Sequence, residues 1–123
     1  MLDYCFDHFY DSKSGFFSFT SDLDRDLIAK HYEIEDNVIS ASNSIMATNL
    51  FKLHIYFGNS YYEEISKNML EKILPNIDYP SAFSNWLNLY LNYSEGNLEL
   101  AICGKNAVSD SFLQPLLLVT RTK

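Results

Sequence analysis

Between Ser40 and Glu95 the apolar residues keep helical spacing through three consecutive segments, and the connections are so short that each helix must return antiparallel beside the one before it. In the first segment Ile45, Met46, Leu50, Leu53, Ile55 and Phe57 form the stripe, Ser42 or Asn43 caps the start, and Gly58 stands at the end. Ser60-Tyr61-Tyr62-Glu63 then has the pattern of a capping box, with Ser at the cap and Glu three residues later. It leads into Tyr62, Ile65, Met69 and Ile73, with Pro75 beyond the end. Asp78-Tyr79-Pro80-Ser81 supplies a cap and an early proline for the third helix. Its apolar face carries Phe83, Trp86, Leu87, Tyr90 and Leu91, and it ends before Ser94-Glu95-Gly96-Asn97.

The flanks are less regular. Leu2, Cys5, Phe6 and Phe9 share one helical face, with Asp3 and Asp7 on the other, and look like the last turns of an amphipathic helix that starts upstream. From Ser14-Gly15 a Phe-rich stretch (Phe16, Phe17, Phe19) alternates with Ser18 and Thr20 and precedes Leu23, Leu27, Ile28 and Ala29, which predicts a short β-hairpin. After Gly96-Asn97 the period becomes two, Leu98, Leu100 and Ile102 alternating with Glu99 and Ala101, so one strand is expected before Gly104-Lys105-Asn106. Val108 to Leu118 suggests a last helix, broken near Pro115. The expected fold class is mainly α, with a β-hairpin near the N-terminus and a short C-terminal strand-helix appendage.

A chain of 123 residues with 47% hydrophobic residues, 4 Gly and 3 Pro has the composition of one packed domain or a piece of one. Its nine Tyr, nine Phe and one Trp are much flat surface for so small a body, and some of that surface suits a partner. Sixteen acidic against nine basic residues give a net charge of −7, which repels a phosphate backbone and an anionic membrane face. Nucleic acid and membrane are therefore not expected partners. The longest apolar run, Leu116 to Val119, is far below the roughly 20 residues of a membrane span, and no basic leader precedes it. A cytoplasmic protein is the simplest expectation. Cys5 and Cys103 lie far apart without a C-x-x-C pattern, so two buried free thiols are expected.

Few residues nominate chemistry. Asp22, Asp24, Asp26 and Glu33 fall on positions one, three, five and twelve of a calcium-loop template, but Leu27 stands where the sharp turn needs glycine, so a solvated acidic turn is favoured. His8, His31 and His54 have no partner at ligand spacing, and no metal or cofactor is expected. His54 beside Leu53 and Ile55 suits a core edge, and Tyr61, Tyr62, Tyr90 and Tyr93 at helical spacing suit a core better than a platform. No nucleophile elbow, phosphate loop or dinucleotide fingerprint is present. The segment from Asp36 to Ser44 packs small polar groups just before a helix. There the free N–H groups and the positive dipole end bind either the chain's own caps or the hydroxyls and anionic groups of a ligand. Asp36, Asn43 and Ser44 are the ligand-binding candidates.

At this cluster the chain resembles a known family. Gly15-Phe16-Phe17, Leu27-Ile28-Ala29-Lys30, Glu35-Asp36-Asn37, Ser42-Asn43-Ser44-Ile45-Met46-Ala47, Asn49-Leu50, Tyr79-Pro80-Ser81-Ala82-Phe83-Ser84-Asn85-Trp86-Leu87 and Glu99-Leu100-Ala101-Ile102-Cys103-Gly104 are similar, in order and spacing, to the carboxy-terminal part of the spermatogenesis-associated, thioredoxin-domain-containing family. Where that family carries Pro and Gly beside the Asn, this chain has Ser40 and Ser42. The resemblance implies that residues 1–95 are the last helical hairpins of an (α/α)6 toroid similar to N-acylglucosamine 2-epimerase and six-hairpin glycosidases. Residues 96–123 would be the start of a small α/β appendage. It implies no thioredoxin part, no complete active site in this chain, and loops around Asp36, Asn43 and Ser44 that enter an inner helix at the ligand end. Expected partners are a second copy, the missing toroid or thioredoxin-like portion, and a carbohydrate. The rival readings are an intact sugar-active epimerase subunit and a non-catalytic interaction module.

Overall fold

The computed structural model describes residues 1–23 and 30–96. Within them the chain is mainly helical with one small antiparallel sheet. A short helix α1 (Leu2–His8) leads into strands β1 (Tyr10–Asp11) and β2 (Phe16–Phe17), and further along the chain come α2 (Ser42–Phe57), α3 (Ser60–Ile73) and α4 (Ser84–Glu95). Single 3-10 turns at Leu74–Asn76 and Pro80–Phe83 connect α3 to α4, each with its proline in the first positions, where the missing N–H is harmless.

A hairpin exists, and the strand paired with Phe16–Phe17 lies upstream of Ser14. Tyr10 pairs with Phe17 and Asp11 with Phe16 around the turn 12–15. Gly15 makes that turn at φ 77, its N–H donating to the Asp11 carbonyl at 2.7 Å, and the Lys72 ammonium of α3 donates to the Ser14 carbonyl. Leu27, Ile28 and Ala29 lie outside the described residues, as do the expected strand at 98–102 and helix at 108–118.

The α2–α3 return is tight because Gly58 takes the left-handed conformation (φ 65, ψ 22) and gives its N–H to the His54 carbonyl at 2.7 Å. The cap of α3 is Asn59, not Ser60, its side-chain oxygen accepting from the Tyr61 amide at 3.0 Å. The cap of α2 is Ala41, which has no side chain to contribute, in place of the expected Ser42 or Asn43. Two carboxylates from the preceding segment do that work. Asp36 accepts from the Ala41 amide at 3.0 Å and Glu33 from the Ser42 amide at 3.3 Å.

The core joins Phe17 of the hairpin to α2, α3 and α4 through Leu50, Phe51, Ile65, Met69, Leu70, Ile73, Phe83, Trp86 and Leu89. Each such side chain contributes about 1.5–3 kcal/mol on burial. Trp86 is fully buried, yet its indole N–H is satisfied by the Ile34 carbonyl at 2.8 Å. On α4 the buried positions are Trp86 and Leu89, while Tyr90 and Leu91 are exposed, so the inward face is turned from the expected one. On α2 the correction is larger. Asn43, Ser44, Ala47, Leu50 and Phe51 are buried, whereas Ile45 and Phe57 from the expected stripe are exposed. The small residues let α3 approach closely enough for the Ser66 hydroxyl to reach the Ala47 carbonyl at 2.8 Å. His54 sits at the core edge as expected, half-buried between the Asn59 carbonyl and Glu63.

Candidate functional site

Asp36 is buried, and its carboxylate stands where the beginnings of α2 and α4 converge. It accepts four hydrogen bonds, from the Ala41 amide (3.0 Å), the Ser44 hydroxyl (2.7 Å), the Asn85 amide (2.9 Å) and the Asn85 side-chain amide (3.0 Å). Its own N–H donates to the Ala82 carbonyl at 2.7 Å. Burial pushes the Asp36 pKa up, but the bonds from Asn85, Ser44 and the Ala41 amide outweigh it and hold the group below its ordinary value. The charge also faces the positive ends of two helices. Asp36 is thus an ionised clamp on three segments: the 33–41 stretch, the start of α2 and the start of α4.

Ser44 belongs to the same cluster, its hydroxyl shared between Asp36 and the Ala41 carbonyl at 2.9 Å. Asn43 is equally buried but points the other way. Its side-chain oxygen accepts from the Phe17 amide (2.8 Å) and its side-chain N–H2 donates to the carbonyls of Phe17 and Glu33 (both 2.9 Å). The primary amide acts as a one-residue strand partner for β2 and ties the hairpin to α2. Of the three candidate residues, two meet and the third serves a neighbouring junction, and all three spend their polar atoms on the chain's own backbone and side chains. Asn85 completes the cluster and was not singled out from the sequence. The available signal was an Asn in the first turn of α4, where Asn side chains favour local backbone bonds.

A second polar group sits at the hairpin turn. Tyr32 donates its hydroxyl to Asp11 at 2.6 Å, and this bond, aided by the Lys13 amide, Ser14 and Lys30, brings Asp11 down to about 2 against a lesser upward push from burial. The Lys72 ammonium also lies 5.8 Å from the Phe16 ring centre, a cation–π contact that fixes the turn to α3. Two clefts of about 450 and 260 Å³ run along the opposite side of α2, between it, α1 and the hairpin. Neither is lined by Asp36, Asn43 or Ser44.

Among the described residues no three His, Cys, Asp or Glu side chains are grouped so as to hold a metal ion, and no helix is long and apolar enough to cross a membrane. Asp24 and Asp26 of the calcium-loop pattern lie outside the described residues; Asp22 is paired with His8 at 2.9 Å. No family model matches the chain, and neither a curated protein nor a solved structure matches it. The class that the fold defines, among the described residues, is a mainly helical protein with one small two-stranded antiparallel sheet.

Proposed function

We propose that this chain is a helical-hairpin portion of an α/α toroid, related in fold to carbohydrate epimerases and glycosidases and similar to the thioredoxin-domain-containing family named above. It carries no complete active site and docks against further helices. The observation that supports this most is the surface: Tyr56, Phe57, Tyr79, Tyr90, Leu91 and Ile39 are all exposed, on several sides of a three-helix core. Layered helices bury such faces against neighbours. In this reading Asp36, Asn43 and Ser44 shape the loop that enters α2, and the loop rather than these saturated groups would meet a carbohydrate.

Light scattering across a concentration series tests the docking. Self-association of the purified chain, or a stable complex when it is co-expressed with a toroid portion, is the expected result, and a tightly folded, monodisperse monomer overturns the reading. A calorimetric titration with N-acetylglucosamine tests the catalytic rival. No saturable heat is expected, whereas saturable binding that Asp36→Ala and Asn43→Ala abolish in a folded chain would instead establish an intact sugar site.

A further inference from the structure

We infer that His54 is a proton-dependent latch on the α2–α3 return: as an imidazolium it ties the end of α2 to the start of α3 by two contacts, and as a neutral imidazole it gives one of them up. Both ring nitrogens face groups that only accept. Nδ1 lies 3.1 Å from the Asn59 carbonyl, which also takes the Tyr62 amide at 3.2 Å, and Nε2 lies 3.4 Å from a Glu63 carboxylate oxygen. A neutral imidazole carries one N–H, so it serves one of these acceptors and turns a lone pair toward the other. The imidazolium carries two and serves both. A third feature acts in the same direction. His54 stands in the last turn of α2, where the carbonyl end of the helix favours positive charge. The backbone beneath the ring is held as well, because the His54 carbonyl accepts the Gly58 amide that makes the turn.

The groups around the ring come from three helices. On α3 the half-buried Glu63 has, among the described residues, its ion pair with His54 alone; Lys67, one turn further on, makes none with it, and Glu64 is exposed. From α4 Tyr93 donates its hydroxyl to the Glu63 backbone carbonyl at 3.4 Å, and burial pushes its pKa up, so it stays neutral wherever a histidine changes charge. On α2 itself Lys52 and Tyr56 are two residues away and therefore do not share the face of His54. Asp36, held below its ordinary value, and Asp11, at about 2, remain ionised above about pH 5 and add no competing change there. The latch is thus closed in mild acid and loosens as pH rises through the histidine range.

The full chain is compared with His54→Gln, whose side-chain amide can still serve the Asn59 carbonyl but carries no charge, and with Glu63→Gln. Measurements at about pH 5.5 and about pH 8 stand on either side of the ordinary histidine value of about 6.5. On going from the higher to the lower pH, the urea midpoint of wild type should gain on that of His54→Gln by about 0.3–0.5 M at fixed protein concentration, and on that of Glu63→Gln by roughly half as much. His8 and His31 are common to all three chains and cancel. Hydrogen-exchange protection of the Gly58 and Tyr62 amides, corrected for the intrinsic effect of pH, should be roughly three- to fivefold greater at the lower pH in wild type and the same at both in His54→Gln. A constant midpoint difference between wild type and His54→Gln overturns the proposal, since His54 would then act by packing alone, and so does a difference that grows as pH rises. Unchanged protection of Gly58 and Tyr62 alongside a midpoint shift overturns it too, by placing the charge effect away from the return. Full wild-type pH dependence in Glu63→Gln does the same, because the carboxylate would then be no part of the latch.

Discussion

Removing the Asp36 carboxylate tests the idea that one buried charge holds three segments together. Asp36→Ala deletes the acceptor of four hydrogen bonds and leaves the Ala41 amide, the Ser44 hydroxyl and two Asn85 N–H groups to find others. Bonds to a charged group are worth about 1.5–3 kcal/mol each, and they are not additive, because Asn85 is only half-buried and Ser44 keeps its bond to the Ala41 carbonyl. A net loss of about 3–5 kcal/mol is therefore expected, a large share of the roughly 5–15 kcal/mol that stabilises a domain. Asp36→Asn separates shape from charge. Its oxygen can take the position that faces Ala41, Ser44 and the Asn85 side chain, but its N–H2 then meets the Asn85 backbone N–H, at a cost of about 2 kcal/mol.

Urea unfolding followed by the fluorescence of the buried Trp86, at fixed protein concentration, reads both variants. With a slope near 2 kcal/mol per molar, Asp36→Ala should lower the midpoint by roughly 1.5–2.5 M and Asp36→Asn by about 1 M. A loss below about 1 kcal/mol for Asp36→Ala, or equal losses for both variants, would refute the clamp. The pH dependence gives a second reading. Because the folded pKa lies below the unfolded one, the contribution is fully present above the unfolded value of about 3.9 and disappears as pH falls through the folded value. Wild-type stability should drop below about pH 4, and the Asp36→Asn curve should be shallower there.

Asn43→Leu, nearly the same size but without hydrogen bonds, strands the Phe17 amide and two carbonyls and should cost about 2–4 kcal/mol in the same urea experiment; a neutral result would show that the hairpin does not depend on α2. Tyr32→Phe should raise the Asp11 pKa from about 2 toward the usual carboxylate value in an NMR titration, because the Tyr32 hydroxyl is the main group holding it down. Gly58→Ala should cost about 1–2 kcal/mol by thermal unfolding, purely from the left-handed backbone, since an added methyl there meets nothing within 4 Å. Ala47→Leu should cost about 1–3 kcal/mol by overpacking the close α2–α3 approach, and an increase in stability would show that the approach is looser than described.

What could be read along the chain, and what could not, divides at the point where distant segments meet. The extents of α2 and α3 follow from local chemistry: Gly58 stops one helix and the apolar spacing fills the rest, but α4 begins at Ser84 and not at the expected Asp78–Pro80 cap, because Pro80–Phe83 forms a separate 3-10 turn. The caps did not follow. Ser42 and Asn43 are good cap residues by type, yet α2 begins on Ala41 because Asp36 and Glu33 reach its first amides from outside the helix and free Asn43 to turn toward Phe17. Once polar side chains take the inward positions on α2, apolar residues expected inside are displaced to the surface, and Ile45 becomes exposed. Met46, Leu53 and Tyr56 line the cleft beside α1 for the same reason. The polar cluster and the outward apolar face of α2 are thus two consequences of one choice of helix rotation, fixed by Asp36, Ser44 and Asn43. That coupling explains why residues that looked like a ligand site serve a junction: the helix end carries free donors, and the nearest anion to satisfy them is supplied by the chain itself.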